Sequence, residues 1–221
     1  MVGAKQGMKQ LVLASESPRR RELLAGLGVS FSVIPSRIRE SKISSDDPGI
    51  LVEELARRKA EAVAAGLASD QESLIIGADT IVMLDGIVLG KPKDEADAAT
   101  MLQHLSGRWH QVFTGVAVTE PASGRTLYSH EITAVKFRSL GPLEIAAYVA
   151  TKEPLDKAGA YGIQGKGALL VERIDGCYFN VVGLPLVKLA ELLARFGVGL
   201  LAGERGIGHE VPPNIERATP R

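Results

Sequence analysis

Four stretches of the chain carry side chains that a stable core does not need. Asp79-Thr80 sits between two apolar runs, Leu74-Ile75-Ile76 and Ile81-Val82-Met83. An unpaired carboxylate buried there would cost several kcal/mol, so Asp79 is expected at a strand end facing a cleft. In that place it could bind a metal or act as a general base; the plain alternative is a turn or capping aspartate. Lys59 falls, at helical spacing, within the arc of Leu51, Val52, Leu55 and Val63, whereas Arg57 and Arg58 fall outside it. A lysine on an apolar helix face must reach water or an anion, and snorkelling at the core edge would also satisfy it. Arg19-Arg20-Arg21 opens a helix, where cations oppose the helix dipole; a bound phosphate at the same helix start would reverse that sign. Solvated arginines are the alternative. The fourth stretch, Lys157 to Gly167, holds Gly159, Gly162, Gly165 and Gly167, which permit close approach of backbone to a ligand or simply a flexible loop. It has neither the P-loop nor the dinucleotide-fingerprint spacing.

The elements that must position these groups are legible at coarse grain. Leu11 to Ala14 reads as a buried strand, followed by a short helix with Ser17 as N-cap, Pro18 at its first position and Gly28 at its stop. Phe31 to Pro35 is a weak second strand. Asp46-Asp47-Pro48 opens a helix over about 49–68. Leu74 to Gly77 reads as a strand ending at Ala78-Asp79-Thr80, and Asp85-Gly86 joins a hairpin of 81–84 and 87–89. Asp94 caps a helix to Leu105. Strands over 112–119 and 126–137, a helix over 142–151, a strand over 169–174 and a helix over 185–196 complete the series. Strands alternating with helices, with hairpins among them, predict an α/β fold with a mixed sheet rather than a parallel one. Residues 1–9 and 199–221 read as flexible tails.

Composition narrows the function. The 221 residues hold 26 Lys+Arg and 26 Asp+Glu, so the chain lacks the basic excess of a nucleic-acid-coating protein. Hydrophobic residues at 45% exclude general disorder. The polar Met1 to Gln10 has no signal-peptide core and no run is long enough to span a membrane, so a soluble cytoplasmic protein is expected. Cys177 is the single cysteine, which fits a reducing compartment, and it reads as a buried structural thiol. His104 and His110 read as packing or capping residues, and the four histidines have no zinc spacing. Basic groups, a carboxylate and a glycine-rich loop together suit a metal-assisted reaction on a phosphorylated small molecule.

Several motifs in combination resemble the Maf family of septum-formation-inhibitor-like nucleotide pyrophosphatases. They are Leu13-Ala14-Ser15-Glu16-Ser17-Pro18-Arg19-Arg20, Gly77-Ala78-Asp79-Thr80, Gly90-Lys91-Pro92, Ser106-Gly107-Arg108, Asp156 through Gly165, and Asn180-Val181-Val182-Gly183-Leu184-Pro185. The resemblance covers about 10–198. It implies a fold like the inosine triphosphate pyrophosphatases, with flanking helices and a central cleft. It implies hydrolysis of a nucleoside triphosphate to the monophosphate and pyrophosphate, a divalent cation (Mg or Mn) and a homodimer. Gly162-Ile163-Gln164-Gly165 looks like the branch acting on dTTP and UTP; the alternatives are the 7-methyl-GTP branch and a non-catalytic nucleotide sensor of septum formation. By the same resemblance, Asp79 matches the acceptor of the attacking water's proton. Arg20, Thr80 and Gln164 match base-specificity positions. Ser15, Arg19, Lys59 and Lys91 match phosphate-binding or charge-stabilising positions, and Glu40 matches a second acidic residue and candidate metal ligand beside Asp79. The chain departs from the pattern at Cys177 and Phe179.

Overall fold

A computed structural model describes residues 9–38, 45–67 and 72–201. Glu40, most of the leading segment and 202–221 lie outside the described residues. Lys9 does not belong to a loose leader: its Nζ donates to Glu120 and to the Phe196 carbonyl.

Seven strands form one mixed sheet in the order β2-β1-β3-β5-β6-β7. β1 (Gln10–Leu13) runs parallel to β2 (Phe31–Val33) and to β3 (Ser73–Leu84). β5 (Trp109–Glu120) and β6 (Arg125–Phe137) continue the sheet antiparallel, and β7 (Val171–Asp175) closes it. β4 (Ile87–Leu89) folds back on β3 through Asp85-Gly86. Both turn residues have positive φ, 51° and 78°, as the two-residue hairpin turn requires.

The register of β3 matters most. β5 occupies one edge of β3 from Ile75 to Met83. On the other edge β1 pairs only with residues 73–76 and β4 only with 82–84. Among the described residues, 77–81 therefore carry no strand on that edge. The sequence predicts a strand end near Asp79; instead one strand of 12 residues runs straight through it. The polar pair is tolerated because the sheet has a gap beside it.

Helices cover both faces, and period-2 alternation assigns the residues. α2 (Pro48–Ala64), capped by the Asp47 carboxylate, packs on the face carrying Ile75, Gly77, Asp79 and Ile81. The other face has two apolar lobes. One joins Leu74, Ile76, Ala78, Val116 and Val118 to Leu24 of α1 (Pro18–Ala25) and to α6 (Leu186–Ala194). The second joins Val82, Leu84, Val112 and Phe137 to α3 (Glu95–Leu105) and α4 (Pro142–Ala150). Thr80 and Thr114, both between the lobes, make a polar seam that α5 (Tyr178–Val182) closes, with Asn180 fully buried. No pattern in the sequence predicts α5. Cys177, at its N-terminus, is half-buried rather than core; its backbone N–H and carbonyl both bond the Thr133 hydroxyl.

Candidate functional site

A cavity of about 690 Å³ opens at the gap in the sheet, within the size range of small-molecule sites (about 300–1,000 Å³). It collects Ser15, Arg19, Arg20, Lys59, Asp79, Thr80, Lys91 and Gln164, which is every site residue expected from the sequence except Glu40, outside the described residues. Because Asp79 and Thr80 are consecutive on a strand, they point to opposite faces, and the missing neighbour strand lets both reach one cavity.

On the α2 face, Lys59 Nζ donates to Asp79 Oδ1 at 2.5 Å, with 12% of each side chain exposed. The pairing answers the sequence puzzle of a lysine on an apolar helix face: its ammonium meets the Asp79 carboxylate on the strand beneath it. Backbone approach makes this reach possible. A Cβ added at Gly115, the β5 partner of Asp79, would lie 2.1 Å from the Val52 carbonyl oxygen, and one at Gly77 would lie 2.2 Å from the Ala56 oxygen. The two glycines on neighbouring strands thus seat successive turns of α2 directly on the sheet.

On the opposite face, Arg20 spans the cleft. Its guanidinium donates to the Gly183 carbonyl at 2.7 Å, to Thr80 Oγ1 at 3.0 Å and to Ser15 Oγ at 3.2 Å. Thr80 continues to Thr114, and Thr114 donates to the Asn180 carbonyl. The helix start that carries these arginines is built as expected, with Ser17 accepting from the Arg20 N–H and Pro18 in the first turn. Arg19 reaches the other rim, 3.4 Å from Asp156, whose second oxygen accepts from Lys157. Burial pushes the Asp156 carboxyl up, but the hydrogen bond from Lys157 and the charge of Arg19 outweigh it and hold the group below its ordinary range. Arg21 is exposed, as a solvated arginine would be.

The glycine-rich stretch is a chain of 3₁₀ turns over 153–156, 158–160 and 165–170, with Gly159 and Gly165 in the left-handed region. The Gly159 N–H donates to the Gly90 carbonyl, tying the stretch to the segment bearing Lys91. Tyr161 Oη lies 2.8 Å from His110 Nε2, and both rings pack edge-on against Phe137. His110 is thus a packing residue, as expected, and it also anchors the cavity wall. Asp156 and Lys157 fall within a motif of the family resemblance, which gives them no role. Gly183 and Asn180 likewise fall within a quoted motif without a role, because a carbonyl acceptor and a buried amide leave no pattern in residue type.

The cavity's carboxylates are Asp79, Glu16 and Asp156. Among the described residues no group of three or more His, Cys, Asp or Glu side chains gathers into a metal cage. Asp79, Glu16 and Asp156 are the oxygen donors of the cavity that could hold a hard cation.

The Maf-like protein family matches residues 10–196 of this chain. A protein of Moorella thermoacetica named dTTP/UTP pyrophosphatase is 61% identical over 191 residues, covering 86% of this chain and 97% of that protein. One of the same name from Acetivibrio thermocellus is 53% identical, covering 88% and 98%. Among solved structures, a HAM1 protein from Coxiella burnetii overlaps in part, with 19% identity, a TM-score of 0.40 and coverage of 59% of this chain and 73% of that one.

Proposed function

Because the chain belongs to the Maf-like family, we propose that its cavity hydrolyses dTTP and UTP to the monophosphate and pyrophosphate. The observation that carries this reading is the Lys59–Asp79 pair set in a cavity walled by Arg19, Arg20 and Lys91. Relatives at 61% and 53% identity bearing the dTTP/UTP name support the choice of base.

A nucleoside triphosphate brings about four negative charges, and the cations of the cavity offset them in a partly enclosed space where such interactions strengthen. Asp79 accepts the proton of the attacking water, and the phosphoanhydride bond between the α and β phosphates breaks as the new P–O bond forms. The pyrophosphate leaves with its charge facing Lys91 and Arg19. Lys59 holds the Asp79 carboxylate in place and supplies its countercharge. Asp79, with Glu40 as the resemblance implies, would hold a divalent cation, which when bound lowers the pKa of coordinated water and neutralises phosphate charge. The Gln164 amide donates and accepts at once, matching the O4 and N3–H edge that uracil and thymine share. The protein works as a homodimer in the cytoplasm on this reading.

The test is pyrophosphate release from dTTP, UTP, CTP, GTP and 7-methyl-GTP, each with Mg²⁺, Mn²⁺ or EDTA. Release from dTTP and UTP with metal only is the expected result. Nucleotide binding without release would make the protein a sensor, and release from 7-methyl-GTP alone would move it to the other branch.

A further inference from the structure

Gln164 lines the cavity, yet among the described residues its side chain has no hydrogen-bond partner. Its direction must come from its backbone. That backbone lies in the turn 162–167, whose first end is tied to Tyr148 and whose second end is tied to Glu153, two side chains outside the cavity that bond each other. Glu153 Oε1 accepts from the Tyr148 hydroxyl at 3.0 Å and from the Gly167 N–H at 3.2 Å. Its Oε2 accepts from the Lys166 N–H at 3.2 Å. The Tyr148 hydroxyl in turn accepts from the Gly162 N–H at 3.3 Å. Tyr148 is buried, and burial pushes its hydroxyl up, so it stays a protonated donor to Glu153. The turn is also closed sterically: a Cβ at Gly167 would lie 2.1 Å from the Gly162 carbonyl oxygen, and one at Gly165 3.0 Å from Glu153 Oε2.

We infer that Glu153 and Tyr148 form a positioning pair that sets base selectivity by holding the 162–167 turn so that Gln164 faces the base. The inference rests on the proposed role of Gln164 in reading the base. It assigns a function to a carboxylate that touches no part of the cavity chemistry. A carboxylate receiving three donors fixes a turn better than a neutral polar side chain, because hydrogen bonds to an ionised group are the stronger ones. Such second-layer support commonly decides whether a recognition group is aimed or merely present.

The experiment compares wild type, Glu153→Ala, Tyr148→Phe, Gln164→Ala and the double variant Glu153→Ala/Gln164→Ala. For each, kcat/KM is measured on dTTP and CTP, with inhibition by inorganic tripolyphosphate as a probe of the phosphate subsite alone. The expected result is a dTTP-to-CTP ratio lowered in both single supports by up to about tenfold, the scale of one lost polar contact to the base, and no further than in Gln164→Ala. The loss should fall mainly on KM for dTTP, with tripolyphosphate inhibition unchanged. The double variant should lose no more selectivity than Gln164→Ala, since support for an absent group is worth nothing. A Glu153→Ala or Tyr148→Phe ratio equal to wild type overturns the inference, as does full additivity in the double variant. If Glu153→Ala does not fold, Tyr148→Phe, which conserves ring volume, decides alone. A wild type without preference for dTTP sinks the reading of Gln164 itself, and is told apart because it appears before any variant is made.

Discussion

Asp79 and Gln164 line one cavity, but different kinds of structure place them. Asp79 stands in the middle of a 12-residue strand, hydrogen-bonded along one edge to β5 and faced by a helix that rests on two glycines. Gln164 stands in a string of 3₁₀ turns held by individual side chains, among them Glu153, Tyr148 and His110. The reacting end is therefore fixed by continuous secondary structure, and the discriminating end by point contacts. The division makes physical sense. A proton acceptor must be placed to a fraction of an ångström, and ladder and helix bonds share that burden among many residues. A base-reading group needs direction rather than rigidity, and a turn can be retuned by changing one tether without disturbing the sheet.

If this division holds, damage at the two ends should read out differently. The largest effect is expected from Asp79→Asn. Pyrophosphate release should fall by about two to four powers of ten, the usual worth of a positioned general base, and by the same factor on every nucleotide. Circular dichroism should be unchanged, because Lys59 at the cavity wall keeps access to water. Near-wild-type turnover of a folded Asp79→Asn protein would remove Asp79 from the chemistry.

Next comes Gly115→Ala, which attacks the seat of α2 rather than the chemistry. With backbone 2.1 Å from the new Cβ, either β5 or α2 must move. Stability should fall by about 3 kcal/mol, the upper part of the overpacking range. Below its melting temperature the variant should lose turnover on all nucleotides in equal proportion, since Lys59 moves with the helix. A thermal melt matching wild type would show that the glycine seat does not set the height of α2.

A smaller effect belongs to the loop end. Burial pushes His110 down from an ordinary value near 6.5 to about 4. Above pH 6.5 the ring is neutral in both folded and unfolded chains. As pH falls from 6.5 toward 4, the unfolded chain takes a proton that the folded one refuses, so stability drops. The loss should reach about 2 kcal/mol between pH 7 and pH 5. His110→Phe should be less stable at neutral pH, having lost the Tyr161 contact, yet show a flatter pH slope over that interval. Denaturant midpoints for both proteins at the two pH values measure the difference; parallel slopes would mean that His110 titrates normally.

The same two regions differ in how far the sequence disclosed them. Asp79 and Lys59 were legible because each violates a pattern: a carboxylate between apolar runs and an ammonium on an apolar helix face. Their pairing was not, and neither was the continuity of β3. The pairing depends on α2 resting on Gly77 and Gly115, the continuity on β5 pairing from Ile75 to Met83, and the gap beside them on β1 and β4 both stopping short at Leu13 and Leu89, all matters of register across distant parts of the chain. Gly77 drew notice through its motif, but Gly115 reads like any strand glycine until α2 is set upon it. At the loop end, four glycines signalled an unusual backbone, and the family resemblance singled out Gln164. Nothing in the residue pattern signalled that Glu153 and Tyr148 brace the turn, since an acidic residue after a helix is ordinary. Patterns of polarity reveal which groups are out of place; they do not reveal which groups hold others in place.

The smallest effect expected is that of Gln164→Ala, and it separates the two ends most sharply. Truncating the amide leaves Asp79, Lys59 and the arginines untouched, so turnover at saturating dTTP should stay within about threefold of wild type, less than a single hydrogen bond's worth. The ratio of kcat/KM between dTTP and CTP should fall by about tenfold, because a site built around polar contacts discriminates chiefly through the partners it leaves unpaired. Asp79→Asn should do the reverse, lowering turnover while leaving that ratio alone. If instead Gln164→Ala lowered kcat by as much as Asp79→Asn on every nucleotide, the turn would belong to the reacting end. The contrast between continuous and tethered structure would then describe architecture without dividing function.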